Sequence, residues 1–341
     1  MFFLYICSNI LTPLPVEQRA QGKFFFALYL AMTKESYLKP PLSYQQQFEQ
    51  LSERGLSFEG CEEKALHLLE KLSYYRLSGY WYTLIDNPKR NHKFKTDAHF
   101  NQAFELYKFD RELRLLILSQ IEKIEVAIRA IIAYECSHSW GVFWLSESKN
   151  FKSHAQHTRD LSKIFGEVGR SKELFLQEYK KKYTEDLPPS WIALEVCSFG
   201  SLSHIYDNLK GGRTKRNISR KFGLRDDVFA TWLHTLVYIR NTCAHHSRLW
   251  NKSLTIKATV PTQTSLNWIS NFYNIDTRTG NRMHVKHRTY FLLCMVQYLI
   301  QSVNPNNKFK DKLDALFTEY NSVDRKALGY TDDWKTEPLW Q

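Results

Sequence analysis

Between Tyr238 and Asn251 the chain gathers two guanidiniums (Arg240, Arg248), two imidazoles (His245, His246) and two amides (Asn241, Asn251). That set suits chemistry on a phosphodiester. Imidazole titrates near neutrality and can move a proton. A guanidinium presents a planar fork that matches phosphate oxygens and stabilises charge as it builds on them. An amide can orient a neighbour or hold a sugar. RNA supplies its own nucleophile, the 2′-hydroxyl, so a protein need add only a proton shuttle and positive charge. Neither a metal nor a cofactor is required for that.

The residues that carry this set read as a helix from Asp226 onward. Asp226 and Asp227 open it, where the positive end of the helix dipole favours acids. Val228, Trp232, Leu236, Ile239 and Cys243 recur every three or four residues, as a buried stripe does. His234, Asn241, His245 and Arg248 fall on the opposite side. At about 100° per residue, Arg240 lies about 140° from His245. In an unbroken helix His246 would swing back into the apolar stripe, so an end or a kink is expected near Ala244.

Arg240-Asn241 followed by His245 resembles the Arg–His motif of HEPN domains. The wider run Arg240-Asn241-x-x-x-His245-His246-x-Arg248-Leu249-Trp250-Asn251 resembles the abortive-infection (Abi) phage-resistance family, in its AbiD/AbiF-like group. The likeness extends over residues 37–300. It takes in Lys39-Pro40-Pro41-Leu42, Tyr74-Tyr75-Arg76-Leu77-Ser78-Gly79-Tyr80, Phe109-Asp110-Arg111-Glu112-Leu113-Arg114, Glu122 to Arg129, and Glu195 with Ser198 to Ser203.

The resemblance implies an all-α, HEPN-like helical bundle with a small amino-terminal helical module and at most minor β structure. It implies a cytoplasmic protein of abortive infection that cuts RNA without a metal. Arg240 and His245 are then the catalytic pair, Asn241 their companion and His246 a second candidate imidazole. Glu125 or Arg129 would face the cleft and orient the motif, or the two would form a solvated ion pair four residues apart, and Glu195 would support a motif cation or stand as a surface carboxylate. The alternative is a non-catalytic RNA-binding or sensor module. The motif occurs once, with its Arg and His too far apart in angle for a complete acid–base pair. HEPN nucleases bring two motifs together across an interface, so a two-fold homodimer is expected. A phage-derived trigger or an antitoxin is a further expected partner.

The rest of the 341 residues agrees with an RNA partner: the net charge of +12 suits a polyanion, and 43% hydrophobic residues suffice for a packed core. The cysteines are spread singly, which argues against a zinc ribbon or a disulfide framework and fits a reducing cytosol. His154 with His157, and His284 with His287, are spaced to share a metal, but no Glu or Cys stands at a familiar ligand offset. Past Gly212, the cations Arg213, Lys215, Arg216, Arg220 and Lys221 lead into the motif helix. They are the expected RNA-tracking surface, with Arg248 beside the motif.

Four segments are expected. Residues 1–31 hold two apolar runs, each too short to span a membrane. They read as a poorly ordered upstream extension before Met32, and no stable membrane association is expected. Residues 32–97 form the amino-terminal module, 98–304 the HEPN-like domain, and 305–341 a carboxy-terminal helix with a loosely packed tail. Tyr74 to Tyr82 reads as core with a turn at Gly79, or as a stacking platform for single-stranded nucleic acid. Long helices are expected from His99 to Tyr134 and from Trp191 to Leu209, and a shorter one from Thr264 to Tyr273.

Overall fold

Ser43 opens the first helix with a capping box. Its Oγ accepts from the Gln46 N–H while the Gln46 side chain accepts from the Ser43 N–H, so two end donors are met reciprocally. The helix α1 (Tyr44–Glu53) gives way where Gly55 takes φ +91°. Next come α2 (Glu62–Leu72) and α3 (Tyr74–Trp81). The computed structural model describes residues 38–255, 258–275 and 280–341; the upstream extension expected at 1–31 lies outside them. The sequence places a turn at Gly79, but α3 runs straight through it. The break falls instead at Ser73, φ +71°, whose Oγ accepts from the Arg76 N–H and caps the new helix.

The spine of the molecule is α4 (Phe100–Trp140), 41 residues and about 60 Å long. Phe109, Leu113, Ile117, Ile121, Ile124, Ile128, Ile132 and Cys136 are fully buried along it at spacings of three and four. It outruns Tyr134 and stops at Gly141, φ +93°. After α5 (His154–Arg170) and α6 (Leu174–Lys182), the helix expected from Trp191 to Leu209 proves to be two. These are α7 (Ser190–Val196) and α8 (Phe199–Asn208). Ser198 Oγ accepts from the Ser201 N–H, and this side-chain cap displaces the bonds of a continuous helix.

The basic cluster folds as α9 (Arg213–Arg220), and α10 (Asp226–Ala244) carries the motif. Asp110 of α4 meets Leu249 and Trp250, just past α10, while Glu135 meets Asn217, ahead of it. The contacts run in opposite order, so α4 and α10 are antiparallel.

No helix forms from Thr264 to Tyr273. The backbone N–H groups of Ser270 and Asn271 donate to the Glu337 carboxylate, at 2.6 and 2.7 Å, instead of to a helix. That contact also corrects the loosely packed tail, since Glu337, Leu339 and Trp340 are buried. The chain then makes a two-stranded antiparallel sheet, β1 (Tyr273–Ile275) with β2 (Arg282–His284), Asn274 opposite Met283.

The next helix, α11 (Thr289–Val303), is buried at every residue from Thr289 to Ile300. A helix apolar all round belongs inside a bundle, and α11 packs on α4 and on α12 (Phe309–Glu319). A single hydrophobic cluster joins Leu51 near the start to Trp340 at the end. The fold is an all-α bundle with minor β structure. Among the described residues no helix is long and apolar enough to cross a membrane.

Candidate active site

The motif sits at a helix end of defined geometry. The Ser247 N–H donates to the Thr242 carbonyl and the His246 N–H to the Cys243 carbonyl, the crossed pair of bonds that closes a Schellman turn. His246 occupies its left-handed position at φ +58°. Glycine usually stands there, because a side chain in that region costs on the order of 1–2 kcal/mol. The neighbouring amino-terminal module holds the turn in place. Arg76 of α3 donates to the His246 carbonyl at 2.8 Å, and Arg248 donates to the Gly79 carbonyl.

Beneath the turn lies Asp110, fully buried in α4. Its carboxylate accepts from the Leu249 and Trp250 N–H groups at 3.0 and 2.6 Å, from the Tyr80 hydroxyl at 2.8 Å, and from Arg114. Burial pushes the Asp110 carboxyl up, and Arg114, Tyr80 and the two backbone donors pull against it. Burial also raises the Tyr80 hydroxyl, with the Asp110 charge adding to it. Thr289 Oγ1 donates to the Leu249 carbonyl, which ties the same turn to α11. The chain past the motif is therefore clamped from three helices.

On this base Arg240, Asn241, His245 and His246 are all exposed. Arg240 donates to Asn241 Oδ1 at 3.3 Å, and among the described residues neither imidazole hydrogen-bonds to another group. Burial pushes the Cys243 thiol up to about 12, so the cysteine inside the motif is inert. Glu125 of α4 lies close enough to Arg240 to feel its charge. Burial raises the Glu125 carboxyl, while Arg129 and then Arg240 work against that shift.

Arg129 bonds Glu125 at 2.7 Å and also donates to the carbonyls of Glu195 and Cys197, at 3.1 and 3.0 Å. The pair is thus a half-buried brace between α4 and the end of α7. Glu195 takes part through its backbone, with its side chain exposed. Arg129→Met should destabilise the protein by about 2–4 kcal/mol in urea unfolding, because it leaves Glu125 and two carbonyls without their donor. A change below about 0.5 kcal/mol would reduce the brace to a surface pair.

A family model described as Abi-like protein matches residues 67–251, more than half of the chain. The chain belongs to the Abi-like family. No curated protein and no solved structure matches it. The span common to the Abi-like family runs from within α2 to Asn251 and so contains α3, Asp110, the Glu125–Arg129 brace and the whole motif turn. Membership suggests a part in abortive infection, the phage-resistance response.

Other residues singled out in this Abi-like chain are placed differently. Lys215 is not on the RNA-tracking surface: it is buried, with its ammonium on the Asp207 and Leu209 carbonyls at the end of α8. Burial accordingly lowers its pKa. Arg213, Arg216, Arg220 and Lys221 are exposed on and beside α9. They precede α10, whose 19 residues put the motif about 25 Å further on. Arg248 braces α3 instead of lying free beside the motif. His234 is half-buried and bonded to Ser203 Oγ at 2.9 Å, so it joins α8 to α10.

His157 stacks on Phe151 and bonds the Leu145 carbonyl, which accounts for one half of the spaced pair His154–His157. Among the described residues no three His, Cys, Asp or Glu side chains cluster where they could hold a metal ion. Sequence reasoning missed Asp110 and Arg76. Both Asp110 and Arg114 are buried within α4. A carboxylate and a guanidinium four residues apart, next to Phe109 and Leu113, were the available signal.

Proposed function

We propose that this Abi-like protein is a metal-independent endoribonuclease of the HEPN type, AbiD/AbiF-like, which cuts RNA during abortive infection. What supports this reading is that Arg240, Asn241, His245 and His246 are presented to solvent together from a clamped helix end, uncommitted to the core. In the reaction the 2′-hydroxyl attacks the adjacent phosphorus and loses its proton to an imidazole. The 5′-oxygen of the next nucleotide leaves and takes a proton. A 2′,3′-cyclic phosphate and a 5′-hydroxyl result. Arg240 neutralises charge on the phosphoryl oxygens as the bond order changes, and Asn241 keeps its guanidinium in place.

One copy supplies one Arg240 and one His245, so a two-fold homodimer completes the cleft. The test is incubation of purified protein with single-stranded RNA in excess chelator, with the product ends mapped. Cleavage should persist, leave cyclic phosphate ends, and stop at any position where the 2′-hydroxyl is replaced by hydrogen. Loss of turnover on chelation, or cutting of an all-deoxy strand, overturns the proposal.

The second reading is an RNA-binding or sensor module that does not cut. The exposed cations of α9 favour it, since they can hold a strand well away from the motif. It predicts RNA retained at full length.

A further inference from the structure

The helix α3 has three faces. With Tyr74 at zero and about 100° per residue, Leu77 and Tyr80 point at about 300° and 240° and are buried. Arg76 and Gly79, at about 200° and 140°, carry the contacts to the motif turn. The remaining arc presents Tyr74, Tyr75, Ser78 and Trp81, which with Tyr82 line a concavity of about 860 Å³. That is within the usual size of a ligand site. Trp81 on this face is buried in the core with Tyr74 packed edge-on against it, while Tyr75 is left to solvent and the motif uses none of these side chains.

Its chemistry is aromatic and cationic. Tyr44 is 49% exposed, Tyr82 54% and Tyr75 89%, so three phenol rings stand open to solvent around one concavity. Lys39, Arg54 and His92 are among its walls, and among the described residues no Asp or Glu is. Lys89 Nζ lies over the Tyr82 ring, 5.6 Å from its centroid, and Arg54 fixes the Tyr74 hydroxyl at 2.9 Å. An apolar peptide would use the rings and leave the cations unanswered. A small carboxylate would use the cations and leave the rings bare. Single-stranded RNA uses both, since its unpaired bases stack on aromatic faces while its phosphates meet the cations.

We propose that this concavity binds unpaired bases of single-stranded RNA, with the phosphates on Lys39 and Arg54. It thereby hands the strand to the motif turn on the adjoining face of α3. The inference rests on the RNA-directed reading of the motif and adds to it the form of the substrate. One helix then holds both the strand and the turn, and the helix body, about 10 Å across, sets the spacing between them.

The experiment is fluorescence anisotropy with a labelled single-stranded RNA of about eight nucleotides. It uses the full chain carrying His245→Ala, so that cutting does not intervene. Adding Tyr75→Ala with Tyr82→Ala should weaken binding about tenfold or more, given the worth of base–aromatic stacking. Tyr75→Phe with Tyr82→Phe, which keeps the rings, should bind as the parent does. A duplex of the same sequence should compete poorly. Unchanged affinity in the alanine pair would leave the rings to a peptide and overturn the assignment, as would a duplex that competes as well as the single strand, or no binding at all. Failure of the nuclease reading shows separately, as RNA left intact by the protein with His245 in place.

Discussion

Asp110→Ala should lower the unfolding free energy by about 3–5 kcal/mol, the cost of breaking a buried ion pair by removing one partner. The carboxylate is fully buried, and Arg114 beside it retains only 5% of its side-chain exposure, so neither water nor another anion takes its place. The loss also strands the Leu249 and Trp250 N–H groups and the Tyr80 hydroxyl. Unsatisfied buried donors cost about 1–3 kcal/mol each when nothing relaxes to meet them.

Asp110→Asn should fall between the two, because one oxygen can still accept from the backbone while the charge opposite Arg114 is gone. Combining Asp110→Ala with Arg114→Met should recover part of the loss but not all. The ion pair is removed from both sides, while the two backbone donors stay orphaned. Urea unfolding of the four proteins decides it. A loss below about 1 kcal/mol in Asp110→Ala would mean that the turn is held by Arg76, Arg248 and Thr289 without the carboxylate.

That hub marks the limit of what the sequence discloses. A helix with a strong apolar period was legible: the motif helix opens at Asp226, and it ends at Ala244 because His246 could not continue the stripe. What stayed hidden depends on partners distant in the chain. The stretch from Thr264 to Tyr273 has a plausible period but gives two of its backbone donors, at Ser270 and Asn271, to Glu337, and no local pattern announces that.

The same holds for the site. Residue types at Arg240 and His245 point to phosphate chemistry, and Lys215 looks like its neighbours Arg213 and Arg216. Only folding separates them, by turning one ammonium inward onto carbonyls and leaving two guanidiniums in water. Arg248 reads as a phosphate ligand for the same reason, while its hydrogen-bond partner, Gly79, lies in another segment of the chain. Residue chemistry is local and burial is not. The sequence therefore names candidate groups well and their availability poorly.

His245→Ala should reduce RNA cleavage by about 10²–10⁴-fold, the range over which a positioned proton shuttle acts, Arg240→Ala by about 10²–10³-fold through lost charge stabilisation, and both should leave the fold untouched. Both side chains are exposed and neither anchors the turn, which is held by backbone bonds, Arg76 and Asp110. Melting temperatures equal to the parent's, with cleavage lost, separate a chemical role from a structural one. Asp110→Ala would fail in the opposite order.

Mixing the inactive chain with the native one carries the argument to the dimer. If each cleft draws on the motifs of both subunits, a hybrid is dead. Coexpression in equal amounts should then leave about a quarter of the activity, the fraction of all-native pairs under random two-fold assembly. Independent subunits would leave half. A cleavage rate that follows the native fraction in direct proportion removes the shared cleft, and with it the need for two motifs. A rate that follows its square ties the single Arg240–His245 set of each chain to the same set in its partner.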